Sequence, residues 1–217
     1  MDEIVASLKN FKITKEIREL LTSISRNHSK ELNIAQVLLD CFQKDLLGST
    51  EYIALRSKIL MNRYLAYVRQ QFPGFTHSIY LYEHETQKLW NSSVPDLLAA
   101  YNEYTHGLCV KNDVSAGSVN PDYIDKVLVI HDVERSDHYV NNNHRTELLK
   151  SQLHAFCAMP LLHNNNAFGH QVMFANNKNP FTDQDIQRYQ AFGPLIGKEL
   201  VSNKEVILKQ IQADKIT

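Results

Sequence analysis

Three groups of side chains in this sequence have types and spacings that could do chemistry. The first is His131, Asp132, Asp137, His138 and His144, imidazoles and carboxylates crowded into one short stretch that could hold a divalent metal. They fall, however, between an apolar strand-like run and a helical one, where polar residues simply face water. Their spacing matches no established ligand pattern, so no metal is expected. The second group is the cysteines. A working thiol needs a lowered pKa and an acid or base beside it. Cys41 falls on an apolar helical face and Cys157 inside an apolar run, as inert buried cysteines do, while Cys109 sits near Lys111. No catalytic residue is expected among them. The third group is aromatic and imidazole: Trp90, Tyr101, Tyr104, His106, Tyr139, His154 and Phe156, scattered over several segments. Such residues line small-molecule pockets, and they also make up ordinary cores with amphipathic edges. On pattern alone both readings stand.

Composition limits what these groups can serve. The 217 residues are 43% hydrophobic and 22% charged, ordinary for a globular chain, and 23 basic against 24 acidic residues leave a net charge of −1. With no basic excess to neutralise phosphates, nucleic acid is not an expected partner. The acidic start carries no apolar run, which argues against a signal peptide or membrane anchor. Three widely spaced cysteines fit reduced thiols in the cytoplasm. Phosphate-loop, dinucleotide, zinc-protease and nucleophile-elbow motifs are missing.

The elements that must position these residues follow from periodicity. Apolar residues at helical spacing predict a helix after Thr14, a second over Ile34–Leu46 stopped at Gly48, and a third capped by Ser49 or Thr50 and ended by Pro73-Gly74. Beyond Gly74 the period shortens. Thr76–Tyr82 with Lys88–Asn91, and His154–Leu162 with Phe168–Ala175, predict two hairpins, with a short strand at Val127–Ile130. Pro95–Tyr104 reads as a short helix, residues 134–153 as polar and then helical, and Thr182 as the cap of a last helix kinked near Pro194. Gly (7) and Pro (6) are scarce while Asn numbers 18, so the clusters at 141–143, 164–166 and 176–179 are read as turns. Strands flanked by terminal helices imply an α+β fold with an antiparallel sheet.

From residue 76 onward, the order of short segments resembles a GAF domain, a small-molecule sensor module. The run Ser92-Ser93-Val94-Pro95, Tyr101, His106-Gly107-Leu108 and Val114-Ser115-Ala116-Gly117-Ser118-Val119 is similar to one branch of that family. Val129-Ile130-His131-Asp132-Val133, Ala158-Met159-Pro160-Leu161-Leu162 with Phe168-Gly169, and Pro180-Phe181-Thr182-Asp183 resemble its later motifs. The resemblance implies an antiparallel sheet with the N- and C-terminal helices on one face and a ligand pocket under loops and short helices on the other. It divides the chain into a helical extension over 1–48 and a GAF-like domain over 49–217. Transferred to this chain, the layout places Trp90, Tyr101, His106, Leu108, Ile130, Asp132, Tyr139, His154 and Phe156 near the pocket.

The function implied is that of a cytoplasmic, non-enzymatic regulatory protein. It would bind a small molecule of unspecified identity, with no particular cofactor indicated, and pass the signal through its terminal helices to a signalling partner. The alternative is an enzyme of the free methionine-(R)-sulfoxide reductase kind. It is disfavoured because Ala116 stands where that branch carries a cysteine. A third reading is an interaction module whose cavity is filled by its own side chains. A homodimer is expected through the apolar faces of the helices around 51–71 and 182–212, and His154 is expected to share the pocket face with Phe156.

Overall fold

The period changes at Gly74 because the last helix before it ends there. Gly74 holds φ +88°, a left-handed conformation suited to glycine, and the chain leaves it as a strand. The computed structural model describes residues 34–94, 96–109, 124–138 and 142–212. Helix α1 (Ile34–Gln43) packs on the long helix α2 (Ser49–Gln71) through Leu38 and Cys41. The cap of α2 is Gly48, one residue ahead of the expected Ser49 or Thr50. Glu51, in the first turn, reaches back to accept the Gly48 backbone N–H at 2.9 Å.

Among the described residues six strands follow: β1 (Thr76–Glu83), β2 (Lys88–Ser93), β3 (Leu108–Cys109), β4 (Leu128–Ile130), β5 (Ala155–His163) and β6 (Asn166–Ala175). They form one sheet in the order β3-β2-β1-β6-β5-β4, with every described pairing antiparallel. Both expected hairpins are present. The β5–β6 turn is made by Asn164 and Asn165 at φ 50° and 62°, the paired left-handed residues of a tight two-residue hairpin. Asparagine thus does glycine's work there and at Asn179 (φ 52°). The cluster at 141–143 behaves differently: Asn142 and Asn143 open helix α4 (Asn142–Lys150), and residue 141 lies outside the described residues.

Alternation along the strands divides the buried side chains into two layers. Ala155, Cys157, Met159 and Leu161 of β5 join Met173 and Ala175 of β6 in the core beneath the helices. Phe156 and Ala158 join Tyr80, Val172 and Phe174 on the opposite face. Between Leu161 and Leu162 the register slips, and the bulged Phe168 turns into the helix-side core. Gly169 follows at a close approach, where an added Cβ would lie 2.4 Å from the Tyr80 carbonyl oxygen.

The C-terminal helix expected after Thr182 is in fact two. Helix α5 (Asp183–Gln190) opens on a capping box, with Thr182 Oγ1 accepting from the Asp185 backbone at 3.1 Å. Helix α6 (Gly193–Gln212) then starts afresh, with Pro194 in its first turn. Proline's missing N–H has no helical acceptor there, so a helix start, and not a kink, is the cheaper solution. Similarly, the short helix expected from Pro95 begins only at Ala99 (α3, Ala99–Thr105), and Pro95 lies outside the described residues.

Helices α2 and α6 pack together and against the sheet, so Tyr64, Ile196, Leu200 and Ile207 are core residues and not an open apolar face. Gln171 of β6 joins these layers: it accepts from the Tyr64 hydroxyl and donates to the Tyr189 carbonyl at 3.1 Å. Leu60, Tyr67 and Leu195 stay exposed. Among the described residues no helix is long and apolar enough to cross a membrane.

Candidate functional site

Opposite the helices, the sheet is roofed by α3 and α4, and a cavity lies between. Its floor is Tyr80 of β1, Leu89 of β2, Phe156 of β5 and His170, Val172 and Phe174 of β6. Its roof is Tyr101 and Thr105 of α3 and His144 of α4, and Leu108 of the edge strand β3 borders it. Strand alternation dictates the floor: Tyr80 and His170 are cross-strand partners, so their side chains stand side by side on one face. The cavity measures about 30 Å³, room for about two water molecules.

Two sets of contacts among the described residues fasten the roof. The Tyr101 hydroxyl and His144 Nε2 lie 3.0 Å apart with their rings nearly parallel, which ties α3 to α4. Asn91 of β2 secures the other side of α3, donating to the Asn102 carbonyl at 2.8 Å and bonding the Thr105 hydroxyl. Tyr101 meets Phe174 of the floor edge to face, with ring centroids 5.9 Å apart.

Inside, polar groups are left without partners. The Tyr80 hydroxyl, the neighbouring Ser78 hydroxyl and both ring nitrogens of His170 are buried and make no hydrogen bond among the described residues. Burial pushes His170 down to about 4, and the Ile124 backbone, near but outside hydrogen-bond geometry, opposes the shift only partly. Burial likewise raises the Tyr80 phenol well above its usual range, opposed only partly by the Ser78 and Thr105 hydroxyls, which lie near it but outside hydrogen-bond geometry. Both groups are therefore neutral near pH 7. Most buried polar atoms find partners, so a cluster like this calls for a guest, water or ligand.

Of the residues expected at the pocket, Tyr101, Leu108 and Phe156 line the cavity. Ile130 is buried in the surrounding cluster without reaching the cavity. Trp90 is a correction: Leu89 takes the pocket-facing position, so Trp90 falls on the helix side, where its ring N–H donates to Glu83 at 3.0 Å. His106 sits edge-on to Trp90, 5.2 Å between centroids, and does not line the cavity. Asp132 belongs to a surface ion pair with Lys178 at 3.2 Å. His154 precedes β5, half-buried, and does not share the cavity with Phe156. Tyr139 lies outside the described residues. Tyr80, Leu89, Thr105, His144, His170, Val172 and Phe174 line the cavity without having been singled out for it. Counting alternate residues along Phe168–Ala175 from the Phe156 face would have found the three on β6.

The metal-like group is dispersed, with His131 exposed on a loop and His144 under α3. Among the described residues no three His, Cys, Asp or Glu gather as ligands. Cys41 and Cys157 are buried in the helix-side core, and burial pushes the Cys157 thiol up to about 12. Cys109 follows Leu108 on β3, half-buried, and does not line the cavity.

The family model for the GAF domain matches residues 60–200, almost the whole of the helix, sheet and roof just described. The chain belongs to the GAF domain family. Among curated proteins, no sequence relative matches. Solved structures share the fold. A GAF domain/HD domain protein from Geobacter sulfurreducens matches with a TM-score of 0.57 and 11% identity, over 72% of this chain and 99% of that one. A domain described as part of a two-component sensor histidine kinase of Sinorhizobium meliloti 1021 gives 0.54 and 11%, over 67% and 90%. A free methionine-R-sulfoxide reductase from Neisseria meningitidis, solved with its substrate, gives 0.50 and 14%, over 79% and 86%. At such identities the likeness extends to the fold alone, so function has to be argued from this GAF domain's own cavity.

Proposed function

We infer that this GAF domain is a small-molecule sensor acting in the cytoplasm, a regulatory protein and not an enzyme. The observation that carries the reading is the pairing of Tyr80 and His170, two buried polar side chains without partners at one cavity. A ligand that satisfies them favours whichever arrangement of α3 and α4 encloses it. That preference biases the helices beneath the sheet, and through them a partner protein, by as much as the ligand distinguishes the two states.

The enzyme reading has less support. A sulfoxide reductase of this fold needs a thiolate at the pocket, and among the described residues no cysteine lines the cavity. Native mass spectrometry of the purified full chain, paired with a sulfoxide-reduction assay, tests the proposal. A small molecule bound to the polypeptide and no turnover of free methionine sulfoxide is the expected result. Turnover abolished by Cys109→Ser would overturn it.

A further inference from the structure

If the cavity is the ligand site, its chemistry narrows what it can hold. Charge comes first. None of its described lining residues is Lys, Arg, Asp or Glu, and His170 stays neutral because burial holds its pKa near 4. An ion placed there would lose its hydration and gain no counter-charge from the described lining residues.

Shape points the same way. Six of the ten described lining residues carry flat rings, which offer faces and edges to a flat guest. The polar edge is supplied by Tyr80 and His170, cross-strand partners whose hydroxyl and ring nitrogens are unsatisfied. A hydroxyl donates or accepts, and a neutral imidazole does one at each nitrogen, so the complementary guest presents a donor and an acceptor on one side.

Size sets the limit. The cavity of about 30 Å³ is well short of the roughly 150 Å³ that houses a benzene ring. The difference is about the bulk of one ring, and the roof offers one in the Tyr101–His144 pair.

We propose that the cavity takes an uncharged single-ring molecule, heteroaromatic or phenolic, with a donor and an acceptor on one edge set against Tyr80 and His170, admitted as Tyr101 and His144 part. Phosphate-bearing ligands such as nucleotides find no counter-charge among the described lining residues. This rests on the sensor reading, and the test separates the two.

Thermal unfolding of the full chain is followed with 2-pyridone, uracil and phenol, and with benzoate, inorganic phosphate and cyclic AMP at matched millimolar concentrations. At least one neutral ring raises the Tm and no anion does. Tyr80→Phe keeps the ring and loses one hydroxyl, and it weakens the active probe about three- to tenfold. Should that variant fail to fold, calorimetric titration of the wild type with N-methyl-2-pyridone, which has lost its donor, shows at least as large a loss against 2-pyridone. A shift by anions alone overturns the ligand class and leaves the sensor reading standing. Binding of a neutral ring untouched by either change overturns the site. No shift with any of the six overturns the class, and a ligand found in the mass spectrum then decides the sensor reading by itself.

Discussion

The Tyr101 hydroxyl and His144 Nε2 meet at 3.0 Å above a cavity whose floor holds two unsatisfied polar groups, so a satisfied bond closes an unsatisfied site. The latch is made between α3 and α4, the two short helices of the roof, and involves no strand of the sheet below.

Tyr101→Phe removes that bond and leaves the stack of rings. A net loss of about 1 kcal/mol is expected in urea unfolding, as for a typical buried hydrogen bond. In hydrogen exchange, amides of α3 and α4 should lose protection while those of β1 and β6 keep theirs. Unchanged stability and unchanged exchange would show that the latch contributes nothing.

Stability should fall with acid in a defined window. His170 and His77 are both buried, and burial lowers each from 6.5 to about 4. Below about pH 6.5 the unfolded chain takes up protons on these side chains that the folded chain refuses, so unfolding becomes easier as pH drops toward 4 and levels off beneath it. Each histidine costs up to roughly 3 kcal/mol across that window. Urea midpoints at pH 7.5, 6 and 5 check this, and His170→Phe should flatten part of the slope. A midpoint independent of pH over this range would mean that both rings take up protons in the fold as readily as in the unfolded chain.

The helix face beside the sheet is the expected dimer seam, through a smaller surface than the sequence suggests. Leu60 and Tyr67 of α2 remain 38% and 49% exposed, while Tyr64 and Leu200 are spent in the core. Light scattering at high micromolar concentration should give twice the chain mass, and Leu60→Glu should halve it. A monomeric wild type would contradict the dimer.

The architecture was legible where one physical rule acted alone. Period-2 runs at Thr76–Tyr82 and Phe168–Ala175, the cap at Thr182 and the asparagine turn at Asn164–Asn165 are all local signals, and all are present. Trp90 escaped because its side is set by the register of β2 against β1, which a resemblance of motifs does not carry. His170 escaped for a related reason: a polar residue in an apolar strand looks like a surface position until the strand is known to be covered on both faces. The α5–α6 break shows the same limit, since Pro194 is compatible with a kink or a start and only packing decides between them.

The most direct measurement is a crystal structure of the full chain grown with 2-pyridone or with whichever neutral ring raises its Tm. Density for the ring is expected in the cavity, its polar edge within hydrogen-bond distance of Tyr80 Oη and a His170 ring nitrogen, with Tyr101 separated from His144. A cavity still closed, holding only water, with the ligand elsewhere on the surface, would contradict it.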